Sequence, residues 1–79
     1  MYNAYIPKGG FAVTPSDTTQ LGSPIPTQLY IGSAGSLVIV TEDGSTLTYP
    51  VIQAGTILWM RVAQVKATGT TATQIIAHY

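Results

Sequence analysis

Glu42 and Asp43 stand side by side, and adjacent carboxylates are the first place to look for acid/base chemistry. Such a pair needs a water-poor pocket that drives two pKa values apart. Asp43-Gly44 between two β-rich runs instead marks the tip of a hairpin, where acids serve backbone geometry and solubility. A cation site in that loop would need carbonyls added to the carboxylates. His78 is the single histidine, and no Gly-x-Ser-x-Gly elbow is present to supply a nucleophile for it. It is expected to face solvent or a neighbour from the last strand. Lys8-Gly9-Gly10 lacks the second half of a phosphate loop and reads as a flexible joint. The chain has no cysteine, which removes disulfides, thiolate zinc sites and cysteine nucleophiles together. No catalytic, cofactor or metal set emerges, and the protein is expected to be neither an enzyme nor a cofactor binder.

Two further groups carry recognition chemistry. Arg61, flanked by Trp59, Met60 and Val62, wants a carboxylate partner once partly desolvated, and Asp17 in a polar loop is the expected one. A contact bridging two subunits would serve as well. Tyr30, Tyr49, Trp59 and Tyr79 are flat surfaces of the kind that stack on sugars, so a small carbohydrate-binding module is the alternative function.

Composition narrows the choice. Only 8% of the 79 residues are charged, three basic and three acidic, against roughly 25% in an ordinary domain. Lys8, Arg61 and Lys66 are too few to neutralise a nucleic-acid backbone, and none is expected to bind. The longest apolar runs, Leu37 to Val40 and Ile57 to Met60, fall far short of the roughly 20 residues that span a bilayer. The N-terminus lacks a secretory pattern, and the expectation is a soluble protein without a membrane partner. A domain this short has a marginal core and, with disulfides and metal gone, oligomerisation remains to support it.

The elements that must position these residues are strands. Short segments rich in Thr, Val, Ile and Tyr are punctuated by Gly, Pro and Ser, with no convincing helix. Strands are expected at Phe11–Thr14, Gln28–Gly32, Ser36–Thr41 and Ser45–Tyr49, then a break at Pro50. A long strand from Thr56 to Lys66 and a last one from Thr70 to Tyr79 complete about six, an antiparallel β-sandwich or small barrel. The Pro24-Ile25-Pro26 loop is expected to be stiff and unpaired. Residues 1–10 form an extended N-terminal arm, and 11–79 a single β domain.

A strand in a two-layer fold alternates apolar and polar residues. Leu37-Val38-Ile39-Val40 and Ile57-Leu58-Trp59-Met60 do not alternate, so they offer apolar side chains to both faces. A neighbouring subunit is expected to cover the second face, around Val38, Val40, Trp59 and Arg61. Tyr2, Tyr5 and Ile6 would anchor the arm to a partner.

Ala12-Val13-Thr14-Pro15-Ser16-Asp17-Thr18-Thr19, Leu29-Tyr30-Ile31-Gly32 and Gly35-Ser36-Leu37 occur in order along the chain. Asp43-Gly44-Ser45-Thr46-Leu47-Thr48, Ala54-Gly55-Thr56, Arg61-Val62 and Ala67-Thr68-Gly69-Thr70-Thr71-Ala72-Thr73 follow, with Tyr79 at the end. Together they resemble the head-spike base proteins of gene transfer agents and related tailed phages, from about residue 11 onward. The resemblance implies a non-enzymatic virion protein on the capsid surface, ringed at a five-fold vertex and anchoring a spike or fibre to the head. A homo-pentamer is the form it favours, with a trimeric cement or decoration protein next. The implied partners are the major capsid protein and the spike or fibre protein. Met1 to Gly10 and the Pro24-Ile25-Pro26 loop depart from the pattern and are the places for attachment to a particular capsid.

Overall fold

β-branched and aromatic residues fit the pleated, half-buried surface of a sheet. In the computed structural model, which describes residues 6–22 and 25–79, they form seven strands and no helix. The strands are β1 (Gly10–Ala12), β2 (Gln28–Ser33), β3 (Gly35–Thr41), β4 (Thr46–Ile52), β5 (Thr56–Trp59), β6 (Val62–Val65) and β7 (Thr73–His78). One sheet has the order β1-β7-β2-β5 and the other β4-β3-β6, with every pairing antiparallel. The fold is a small all-β sandwich.

Alternation along each strand sends one set of side chains between the sheets. Leu29 and Ile31 of β2, Leu37 and Ile39 of β3, Val62 and Val65 of β6, and Ile75 and Ala77 of β7 meet there, cut off from solvent. Burying each of the larger ones stabilises the fold by about 1.5–3 kcal/mol. Phe11, Leu47, Tyr49 and Leu58 pack around this centre.

Four local expectations are corrected. The long strand from Thr56 to Lys66 is two strands in different sheets, β5 and β6, with a corner at Met60–Arg61. The amides of Met60 and Val62 donate to the carbonyls of Thr27 (3.1 Å) and Pro26 (3.2 Å), which ties the corner down. Pro26 is therefore buried and used as an acceptor, where an unpaired loop was expected. Pro50 does not end its strand. β4 is an edge strand, and the register slips between Gly35 and Leu37 of its partner. A bulge on an edge is where proline's missing donor does no harm. Gly9 and Gly10 do not form a loose joint: Gly10 pairs with His78, and the Tyr79 amide donates to the Gly9 carbonyl at 2.9 Å.

The β3–β4 hairpin turns where the sequence places it. Gly44 has φ 94°, a conformation that costs an L residue sterically, and its amide donates to the Thr41 carbonyl at 3.0 Å. The Asp43 carboxylate accepts from the Thr41 hydroxyl (2.6 Å) and the Ser45 amide (3.0 Å).

Candidate functional site

The sandwich leaves two broad outer faces, and their chemistry is best read row by row. On the four-stranded sheet, register places Ala12, Ile76, Tyr30 and Ile57 in one row across the strands. The next row holds Gly10, His78, Gln28 and Trp59. Small residues lie at the β1 edge and bulky ones at the β5 edge. Trp59 is 67% exposed, Ile57 45% and Tyr30 38%. Large apolar groups grouped on one face are the usual mark of a contact surface. Gln28 lies among them at only 5% exposure, and its Nε2 has no hydrogen-bond partner.

The outer face of the three-stranded sheet carries Val38 and Val40 of β3, opposite Thr48 and Thr46 of β4, with Gln64 of β6 beside Val40. Val38 and Val40 are half-buried. A Cβ on Gly69 would stand 2.9 Å from the Val38 side chain, so the loop before β7 partly covers it. Gln64 is held under the loop after β1 by a 2.8 Å bond from its Nε2 to the Ser16 carbonyl.

The expected contact residues are thus divided. Val38 and Val40 lie on one outer face and Trp59 on the opposite one. Arg61 sits at the corner between the sheets, and Ile6 is exposed before β1. Tyr2 and Tyr5 lie outside the described residues. Tyr30, Ile57, Ile76 and Gln28 belong to the same surface as Trp59 and were not singled out as contacts. Their signal was present: Leu29-Tyr30-Ile31 puts an apolar residue on each face of β2, the same two-sidedness noticed in β3 and β5.

Lys66 lies beside Val38 on the three-stranded sheet, where its amide donates to the Val38 carbonyl at 2.9 Å and continues the β3–β6 ladder. Arg61 does not meet Asp17. Its Nε and terminal amine donate to the two carboxylate oxygens of Glu42 at 2.7 and 3.1 Å. That fork closes because the Glu42 amide also donates to the Arg61 carbonyl (3.0 Å), fixing the hairpin tip against the corner. Asp17 instead accepts from the amide and hydroxyl of Thr68, tying the loop after β1 to the loop before β7. The reason for the mismatch is the corner itself, which swings Arg61 to the β3–β4 end of the molecule. An open groove of about 430 Å³ lies there, lined by Leu47, Met60, Glu42 and Arg61. Its charged groups already satisfy one another. Among the described residues no three His, Cys, Asp or Glu side chains gather around a point that a metal ion would occupy.

The carboxylates give a pH prediction. Thr68 hydrogen bonds lower the Asp17 pKa, Arg61 lowers that of Glu42, and the Thr41 and Ser45 donors lower that of Asp43. A carboxylate with a folded pKa below its unfolded value contributes stability that is present above the unfolded value. That contribution is lost as pH falls through the folded one. The thermal midpoint should therefore fall as pH drops below about 4, the unfolded carboxylate range. Melts followed by circular dichroism across that range check it, and a midpoint that does not fall on acidification would contradict the assignment. All three groups are exposed, so the slope is expected to be shallow.

No protein-family model and no curated protein sequence matches the chain. Among solved structures, it is similar to a chain of the "Capsid of native GTA particle computed with C5 symmetry", where GTA denotes gene transfer agent. The two superpose with a TM-score of 0.82 at 39% identity, over 94% of this chain and 84% of that one.

Proposed function

Because this chain belongs to the same family as that gene transfer agent capsid chain, we propose that it is a structural virion protein that acts by static binding at the capsid surface. The similarity at 39% identity over nearly the whole chain carries this reading. Within it, the protein is a vertex spike base or decoration protein. It forms a homo-oligomer on the major capsid protein and anchors a spike or fibre. A pentamer is the form this reading favours, with a trimer next. Ile6, Val38, Val40, Trp59 and Arg61 are the described residues we assign to contacts, with Tyr2 and Tyr5 of the arm tying the ring to its support. The arm is the segment ahead of Lys8–Gly10, which is itself fastened to the β7 end of the β domain.

Two measurements test this. Light scattering behind a sizing column is expected to return a pentamer, whereas a trimer would move the role to cement between capsomers. Purified protein added to capsids assembled without it is expected to co-sediment with them. A monomer that leaves the capsids unbound would overturn the proposal.

One observation favours a second reading. Trp59 and Tyr30 are exposed together on one face, as a sugar-stacking platform requires. On that reading Trp59→Ala abolishes glycan binding and leaves the native mass of the wild type, a monomer, unchanged.

A further inference from the structure

The two sides of the sandwich are closed differently. On the β1–β6 side the loop after β1 bridges the sheets. The amides of Ser16 and Leu21 donate to the Val65 and Ala63 carbonyls, both at 2.9 Å, and occupy the outer edge of β6. On the other side β4 and β5 are the end strands of facing sheets, joined by the short turn at 53–55.

Register tells which backbone groups that open side presents. The Thr41 amide donates to the Ser45 carbonyl at 2.8 Å, so alternation turns the backbone of Leu47 and Tyr49 toward β3. Thr46 and Thr48 then each direct an N–H and a C=O away from the sheet, and Pro50 ends the row because it has no donor. Leu47 packs on the core from the same strand, and with Met60 at the corner it lines the groove that opens beside this edge. An unpaired edge next to an apolar groove takes an added strand, main chain to main chain with alternate side chains in the groove.

The chain holds a segment suited to it. Tyr2-Asn3-Ala4-Tyr5-Ile6 is uncharged, as fits a groove whose Glu42 and Arg61 already satisfy one another. Ile6 is 81% exposed in the single chain. The segment cannot lie along its own β4. Lys8 is held beside Tyr79 at the β1 edge, three strand spacings of about 14 Å from β5. The steps from Lys8 back to Ile6 cover only about 7 Å.

We propose that Tyr2–Ile6 of one copy adds as a strand to the β4 edge of the next, bonding to Thr46 and Thr48, with Tyr2, Ala4 and Ile6 turned toward Leu47 and Met60. This rests on the oligomer reading above and makes the neighbouring copy the arm's first support. Arm and edge are different surfaces, as a contact repeated around a ring requires. A tethered arm leaves the angle between the two bodies free.

Because the chain has no cysteine, thiols placed in it can be trapped cleanly. On the added strand Tyr5 stands on the outer face with Thr46 and Thr48, within the roughly 7 Å between Cα atoms that a disulfide tolerates. Full-length Tyr5→Cys is co-expressed with Thr46→Cys or Thr48→Cys, mildly oxidised and run on a non-reducing gel. A band at twice the mass of one chain is expected, identified by peptide mass as the mixed disulfide. Tyr5→Cys with Gln20→Cys, on the closed side, is expected to give none, and an equal yield there refutes the edge. A Tyr5→Cys/Thr48→Cys double variant that links within one chain would also overturn the proposal. If the wild type is an oligomer and neither threonine position traps the arm, the strand assignment is wrong and the oligomer reading stands. A wild type that is itself a monomer overturns both.

Discussion

Leu29→Ala is expected to destabilise the domain by about 2–5 kcal/mol, the range for removing a large side chain from a packed core. Leu29 is fully buried in β2, the inner strand flanked by β7 and β5, and it pairs with Ala77 on one side and Leu58 on the other. Neither neighbour can extend into the space left. Ala77 has only a methyl group, and Leu58 is fixed on the short edge strand β5. Domains of this kind are stable by about 5–15 kcal/mol in total, and one this small sits toward the bottom of that range. The variant should therefore be substantially unfolded at modest denaturant, and urea titration followed by circular dichroism measures it. A loss below about 1 kcal/mol would mean that the site collapses or is not the centre of the core.

Gly35→Ala is the second large effect, and it acts through backbone rather than core volume. Gly35 opens β3 just after β2, where the chain passes from one sheet to the other. A Cβ there would stand 2.6 Å from the Ala72 amide nitrogen and 2.6 Å from the Thr71 hydroxyl oxygen. The same junction is fastened by Ser36, whose amide donates to that hydroxyl at 2.9 Å and whose carbonyl accepts from the amides of Thr71 and Ala72 at 3.0 Å. One extra methyl must push the lead-in to β7 away and stretch those bonds. Overpacking of this kind costs about 1–3 kcal/mol. Hydrogen exchange should then show Thr71 and Ala72 deprotected ahead of the β2 amides. Equal protection across both regions would show that the junction absorbs the methyl without strain.

The places of β2, β3 and β7, the hairpin at Asp43-Gly44 and the two-sidedness of β3 and β5 were legible from residue type and spacing. So was the sandwich, because alternation within a short segment reports burial directly. What local pattern could not carry was the corner at Met60–Arg61. Thr56 to Lys66 is continuously β-prone, and the break is imposed from outside, by the carbonyls of Pro26 and Thr27 more than thirty positions earlier. The Arg61 partner was missed for the same reason, since choosing between Asp17 and Glu42 required knowing which way the corner turns. Pro50 was misjudged because a proline is read locally as a stop, while its tolerance depends on whether the strand is at an edge. The outer faces were half legible. Trp59, Val38 and Val40 were found as apolar residues pointing the wrong way for a single core. Their distribution over two opposite faces is a property of the sheet order β1-β7-β2-β5 against β4-β3-β6.

That sheet order also governs how the protein can be made. β7 is the last of the seven strands to leave the ribosome, yet it fills the slot between β1 and β2. Until residues 73–78 emerge, the four-stranded sheet has a gap at its middle, and Leu29 and Ile31 lack their neighbours on the β7 side. Folding is therefore a single late event rather than a progressive one, with its slow step set by joining distant ends of the chain. A nascent chain stalled before Thr73 would present bare strand edges, the feature that chaperones and proteases act upon.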